Sequence, residues 1–191
     1  MQEKNIAGMK KISFILLVGI SVSLLSCNGG GEKTEKVDVR TYQLSEKSQT
    51  GEYAMQQSSA KGEAKIGGVE YQYEIDRNPS PQLPKVKDEQ NILFVDNVID
   101  LRIIRNGKSI LSKRFTKKDF SSHVESAFAA KAILEGLVFD QVINGKLRFA
   151  ASVCVPQTDL YVPLCVWVST DGKVHIEKGN VLEDEIPGRG N

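Results

Sequence analysis

The chain has 191 residues, with 25 Lys and Arg against 24 Asp and Glu, a formal net charge of +1 and 40% hydrophobic residues. That size suits one hydrophobic core rather than several, and interspersed, nearly balanced charges leave no basic footprint for nucleic acid. Three cysteines and two histidines without metal-ligand spacing argue against a disulfide framework and against a zinc site.

Lys10 and Lys11 precede an apolar run from Ile12 to Leu25, too short to cross a bilayer and of the length of a signal h-region. The compact MKK start makes Met9 the expected initiator. The run ends in Leu24, Leu25, Ser26 and Cys27, with Leu three residues before Cys and a small residue next to it. This tetrapeptide resembles the bacterial lipobox. The resemblance implies a signal peptide over 1–26, cleavage between Ser26 and Cys27, a diacylglyceryl group on the Cys27 thiol and an acyl chain such as palmitate on the new amino terminus. The implied partner is a membrane held through lipid, since stable anchoring takes more than one acyl chain. Residues 27–36, CNGGGEKTEK, have little apolar surface to bury and read as a flexible tether. Asn28 stands where enterobacterial lipoproteins of the inner membrane carry Asp, so the resemblance implies the outer membrane. Gly29 to Glu32 departs from the acidic run that sends some Bacteroidetes lipoproteins to the cell surface, and both faces of that membrane stay open.

Residues 37–178 are expected to form one β-rich domain. Val37 and Val39 alternate with Asp38 and Arg40 as a short first strand over 37–44. Residues 45–65 are weakly patterned, with Tyr53 and Met55 as an edge strand. Val69, Tyr71, Tyr73 and Ile75 alternate with Glu70, Gln72, Glu74 and Asp76, a strand with one dry face and a polar row that reads as solvated rather than as a cation or sugar site. The proline-rich stretch from Asn78 to Pro84 reads as a loop within the domain. Beyond it, Asn106-Gly107, Asn144-Gly145 and Asp171-Gly172 mark three hairpins, joining 97–105 with 109–115, 137–143 with 146–155 and 160–169 with 173–178. Between the first two, Phe120, Val124, Ala127, Phe128, Lys131 and Leu134 recur at helical spacing. Ser122 and Glu125 read as a capping box and Gly136 as the stop, predicting one packed helix over 122–135.

In the last two hairpins, Leu147, Phe149, Ala151, Val153 and Val155 must share a dry face with Val162, Leu164, Val166 and Val168. A four-residue turn over 156–159 sets Val153 opposite Val162, and a three-residue turn over 170–172 then sets Val168 opposite Val174 and Val166 opposite Ile176. The same register puts Cys154 opposite Tyr161 and Cys165 opposite Ala150, about 13 Å out of step, so the two thiols are expected to stay unbridged. A longer turn ending near Leu164 would pair them without changing the dry face. The other face carries Arg148, Ala150, Ser152, Cys154, Tyr161, Pro163, Cys165 and Trp167, with Arg148 opposite Trp167 in a guanidinium–indole contact. Arg148, Tyr161 and Trp167 are the candidate binding residues if this face is open; the helix or the first strands could equally cover it. Residues 179–191 read as a C-terminal tail.

No motif for a nucleophile elbow, zinc protease, phosphate loop, dinucleotide or dithiol redox site occurs. No catalytic residue or cofactor is therefore assigned: His123 and His175 read as surface side chains, and Asp119 and Glu125 as helix-start groups. The fold class expected is mainly β with some α, an antiparallel meander forming a half-barrel or small sandwich with one packed helix. By lipobox and layout the chain resembles the small uncharacterised lipoproteins of Bacteroidetes. That resemblance implies a lipid-anchored envelope protein and no known activity; the first reading of the chain is a non-catalytic module that binds an unidentified protein, glycan or small ligand. An enzyme with a carboxylate-based site and a structural spacer are the other readings. A concave pocket with converging acids, or with an acid and a His, favours catalysis, whereas a flat apolar or aromatic patch favours binding.

Overall fold

A computed structural model describes residues 51–179. The signal peptide over 1–26, Cys27, the tether over 27–36, the strand over 37–44 and the tail beyond Gly179 lie outside the described residues. Within them the chain forms β1 (Glu52–Tyr53), β2 (Ser58–Ile66), β3 (Val69–Pro79), β4 (Val86–Lys87), β5 (Leu93–Phe94), β6 (Asn97–Arg105), β7 (Lys108–Phe115), a 3-10 turn (Lys117–Phe120), α1 (Ser126–Ala129), β8 (Ile133–Ile143), β9 (Lys146–Cys154), β10 (Tyr161–Val168) and β11 (Val174–Lys178). The protein is mainly β.

Two four-stranded antiparallel sheets follow from the alternation. One has the order β2-β3-β6-β7 and the other β11-β10-β9-β8, and neither closes into a barrel. Their apolar faces meet in one core. Tyr71 and Ile75 of β3, Ile99, Leu101 and Ile103 of β6, Leu147, Phe149 and Val153 of β9, and Leu164, Val166 and Val168 of β10 are all buried there. Each such Val, Leu, Ile or Phe side chain removed from water contributes about 1.5–3 kcal/mol. The register of the final sheet is the one that alternation requires: Val153 pairs with Val162, Cys154 with Tyr161, Cys165 with Ala150 and Arg148 with Trp167, while Val168 pairs with Val174 and Val166 with Ile176. The polar row on β3 is solvated, with Glu74 meeting Lys61 at 2.8 Å and Arg102 at 3.7 Å.

Three features differ from the sequence reading. The helix over 122–135 is reduced to the four residues of α1, because Ile133 onward pairs with β9 as strand. Phe120, Val124 and Leu134 are buried as their spacing required, yet a compact 3-10 turn and a single helical turn satisfy that burial. The capping box forms six residues earlier than expected, at Thr116 and Asp119, where the Asp119 carboxylate accepts the Thr116 N–H at 2.9 Å. Gly136, expected as a helix stop, lies at a register shift in β8 instead. Second, β2 is a true strand, although its sequence SSAKGEAKI shows little alternation. It is an exposed edge whose Gly62 leaves room for a tyrosine ring: a Cβ there would lie 2.2 Å from the Tyr73 hydroxyl oxygen. Third, the edge strand expected at Tyr53 and Met55 is present as β1, but it belongs to a small separate sheet in the order β1-β5-β4, with β1 and β5 parallel. Strands of two residues carry no readable period.

The small sheet and the two larger ones meet at Asp96 and Asn97. Asp96 is 3% exposed. Its Oδ1 accepts the N–H groups of Asn97 and Leu134, each at 2.8 Å, and its Oδ2 lies 3.1 Å from Lys117 Nζ. Its carbonyl accepts the Ser80 N–H, while the neighbouring Val95 N–H reaches the Tyr53 carbonyl of β1. Asn97 Nδ2 donates to the Leu134 carbonyl at 2.8 Å and contacts Met55 Sδ at 3.2 Å. Arg77 adds a second tie from β3, donating to the carbonyls of Glu135 and Gln56.

A further junction joins the two large sheets at the β10–β11 turn. Arg105 of β6 donates to the Thr170 carbonyl at 2.9 Å. Gly172, at φ +81°, sits so close to β7 that a Cβ would stand 2.1 Å from the Ile110 carbonyl oxygen. Gly172→Ala therefore meets both a left-handed backbone and a backbone clash. We predict that it lowers stability by about 2 kcal/mol or more, read by urea denaturation; unchanged stability would show that the turn is not seated on β7.

Candidate functional site

Because β8 to β11 bury one face in the core, their other side chains form an outer face whose content the register dictates. Cys154 lies at one end, Ala150 and Cys165 in the middle, and Arg148, Trp167 and His175 in a row at the other end. The first end is covered. Met55, Val86 and Phe94, brought by the small sheet and the segment beside it, pack there on Ile133 and Cys154. The cover is that sheet and not a helix, and it stops short of the middle, where Val138, Ala150, Pro163 and Cys165 are half-buried.

Beneath the cover lies a polar cluster. Glu135, 8% exposed, stands at the β8 register shift between Leu134 and Gly136 and accepts the Ser152 hydroxyl at 2.7 Å. Burial pushes the Cys154 thiol far above its ordinary range, and the neighbouring Glu135 carboxyl pushes it the same way. Burial also lowers the Arg77 guanidinium, partly offset by Glu135. A thiol held protonated in this way is a small hydrophobe and not a nucleophile.

At the open end Arg148 lies over the Trp167 ring, 5.8 Å from its centroid, and Arg148 Nε is paired with Asp140. On the far side Trp167 Nε1 donates to Glu177 Oε1 at 2.8 Å, and Glu177 Oε2 lies 3.6 Å from His175 Nε2. Next to this row is a hollow of about 490 Å³ lined by Lys146, Trp167, Ser169, Asp171, Lys173, Val174 and His175. Lys173 pairs with Asp171 at 2.8 Å, and the Ser169 hydroxyl donates to the same carboxylate. Lys173 first, then Ser169, holds the Asp171 carboxyl below the usual range. Ser169 and His175 share the hollow, but the serine hydroxyl is engaged with Asp171 and with the Lys173 N–H, so no base sits on a nucleophile.

A second hollow, of about 440 Å³, lies at the β9–β10 turn between Lys87, Asp88, Glu89, Lys131, Pro156 and Leu160. Its Asp88 carboxylate is taken up by the N–H groups of Gln90 and Ile92 at 2.9 and 2.7 Å, which fix that loop.

Of the three candidate binding residues, the structure brings Arg148 and Trp167 together and leaves Tyr161 apart. Tyr161 is 41% exposed at the opposite end of β10, roughly 20 Å from Trp167 along the strand. Asp140, Lys146, Asp171, Lys173 and Glu177 were not singled out from the sequence. The signal for Glu177 was present, since the register that placed Trp167 also placed His175 opposite it and Glu177 two residues on. The Asp140 contact needed the second register shift in β8, between Phe139 and Gln141, which no residue pattern announces. Among the described residues no cluster of three His, Cys, Asp or Glu could hold a metal ion, and no helix is long and apolar enough to cross a membrane.

Cys154 and Cys165 are unbridged, as the short turn requires. Burial of the Cys154 thiol predicts that native protein resists iodoacetamide at Cys154 at mildly alkaline pH, where an ordinary thiol is partly thiolate, and that urea releases it. Labelling of Cys154 in native protein at the unfolded rate, read by peptide mass spectrometry, would contradict the packed cluster.

Residues 38–176 match the family described as a domain of unknown function, DUF4738. No curated protein matches the chain.

Proposed function

The chain belongs to the DUF4738 family, and from that premise we propose that it is a lipid-anchored protein of the bacterial cell envelope, a non-catalytic binding module of the outer membrane. The observation that carries the anchor is the Leu24-Leu25-Ser26-Cys27 sequence after a short apolar run with two lysines before it. Cys27 bears the lipid, the tether over 27–36 lifts the domain off the membrane, and the β-rich domain over 37–178 presents the binding surface. The fold in this reading is a small sandwich of two open sheets, with the outer face of β8–β11 turned to the ligand.

What supports binding over catalysis is how the carboxylates near that face are engaged. Asp140 holds Arg148, Asp171 holds Lys173 and Ser169, Glu177 holds Trp167, and Glu135 holds Ser152. A general acid or base needs a carboxyl that meets the reacting proton, and these groups instead fix neighbouring side chains. An indole braced by an arginine and a glutamate is a rigid platform, which is what recognition without chemistry uses.

The anchor is tested by Cys27→Ser in cells with lipoprotein processing. The native protein is expected in the detergent phase after phase separation, and the variant in the aqueous phase or as an uncleaved precursor. Equal detergent partitioning of both, with cleavage unaffected, would contradict lipidation at Cys27.

A further inference from the structure

We propose that the hollow beside Trp167 is a saccharide subsite, in which a pyranose ring stacks on the indole while its hydroxyls meet Ser169, Asp171, Lys173 and His175. This rests on the reading of the β8–β11 outer face as the binding surface and names the class of its ligand.

Four observations converge. The first is the platform: Trp167 is held at its indole N–H by Glu177 and on one side by Arg148, so the ring loses little freedom when a ligand arrives. The C–H groups on one side of a pyranose form an apolar patch, and the negative face of an aromatic ring attracts them. The second is size. At about 490 Å³ the hollow lies in the ordinary range for small-ligand sites.

The third observation is the balance of the lining. Lys173 is matched by Asp171 within the hollow and Arg148 by Asp140 beside it, so the surface does not present the block of one charge that selects phosphate or nucleic acid. It offers donors from Lys146, Lys173 and His175, and acceptors from Asp171 and from the one lone pair of Ser169 that the Lys173 N–H leaves open. A sugar hydroxyl donates one hydrogen bond and accepts two, and it is the group such a mixture fits. The apolar lining is one indole and part of Val174, too little to seat the hydrophobic anchors of a folded protein partner.

The fourth is the seating of the turn that carries the polar groups. Thr170 is bonded to Arg105 and Gly172 is pressed on the Ile110 carbonyl, while Ser169, Asp171 and Lys173 are bonded to one another. Ring and polar groups therefore sit on elements fixed before binding.

Trp167 is the single tryptophan of the chain, so tryptophan fluorescence, excited where the five tyrosines do not absorb, reports on this hollow. The experiment titrates the mature lipidated protein, in a polyoxyethylene detergent that carries no sugar, with neutral cello-, xylo-, malto- and chito-oligosaccharides and with an oligogalacturonate, at low and high salt. Saturable change with at least one neutral oligosaccharide, insensitive to salt, is expected. Asp171→Asn should weaken it about tenfold, and Lys118→Ala in the exposed 3-10 turn, away from this face, should not alter it. A response to the polyanion alone that vanishes at high salt would overturn the proposal as ion exchange on Lys146 and Lys173. In a second arm the same protein is immobilised and offered an envelope protein fraction depleted of glycans, with retention as the readout. Retention that Trp167→Ala abolishes, with no response to any saccharide, overturns the saccharide assignment and keeps the face as a binding surface; silence in both arms overturns the face as well.

Discussion

The arrangement of the three sheets depends on the burial of one carboxylate. Asp96 links the small sheet to β6, and from that position it receives the N–H of Leu134 in β8 and the ammonium of Lys117. Removing a charge from water is costly, and the cost is offset only where hydrogen bonds and an opposite charge replace the lost hydration. Asp96 has both, since each of its oxygens is engaged. The apolar core would hold the two large sheets together without it, but burial is non-directional and many offsets of one sheet on the other bury similar area. The bond from the Leu134 N–H to Asp96 and the bond from the Asn97 amide to the Leu134 carbonyl cross between the sheets with one geometry each, and they select a single offset. The cluster is not perfectly satisfied, for Arg77 Nε and Asn97 Oδ1 are buried without a partner.

That junction decides which part of the outer face is open. By tying the small sheet over Ile133 and Cys154 it closes one end of the β8–β11 sheet, turning Cys154 into core and Glu135 into a partner for Ser152. The other end is shaped by the second junction, where Arg105 and Gly172 seat the β10–β11 turn on β6 and β7. Between the two, the face keeps an indole, a guanidinium and a set of paired charges in fixed positions. The envelope role proposed for the chain uses that division: the anchor and tether lie at the amino-terminal side of the sequence, and recognition falls to the sheet that ends it.

Legibility in the sequence followed the length and regularity of each element. Strands of eight or more residues with strict alternation gave their register directly, and with it the pairing of Arg148 with Trp167 and the separation of Cys154 from Cys165. The region from 115 to 136 misled because Phe120, Val124, Phe128 and Leu134 satisfy a helical spacing, while Ile133 to Phe139 is a short apolar-rich run that suits a strand or a helix; pairing with β9 decided between them, and only tertiary contact carries that information. The small sheet was legible only at its first strand, around Tyr53 and Met55, for a different reason. Its other strands are two residues long and have no period, and Asp96, whose hydrogen bonds join it to the larger sheets, reads in isolation as a loop acid. Most of the candidate hollow was hidden likewise, since Lys146, Asp171 and Lys173 read singly as turn residues and acquire a joint meaning only when the turn folds back beside Trp167.

The central claim, that a buried Asp96 carboxylate fixes the sheets, is tested most directly by urea denaturation of Asp96→Asn, an isosteric change that removes the charge facing Lys117 and replaces one acceptor by a donor. The account predicts a loss of about 3 kcal/mol or more, accompanied by faster hydrogen exchange at the Leu134 amide, whose acceptor is Asp96. A variant within about 0.5 kcal/mol of the native protein, with Leu134 still protected, would contradict it.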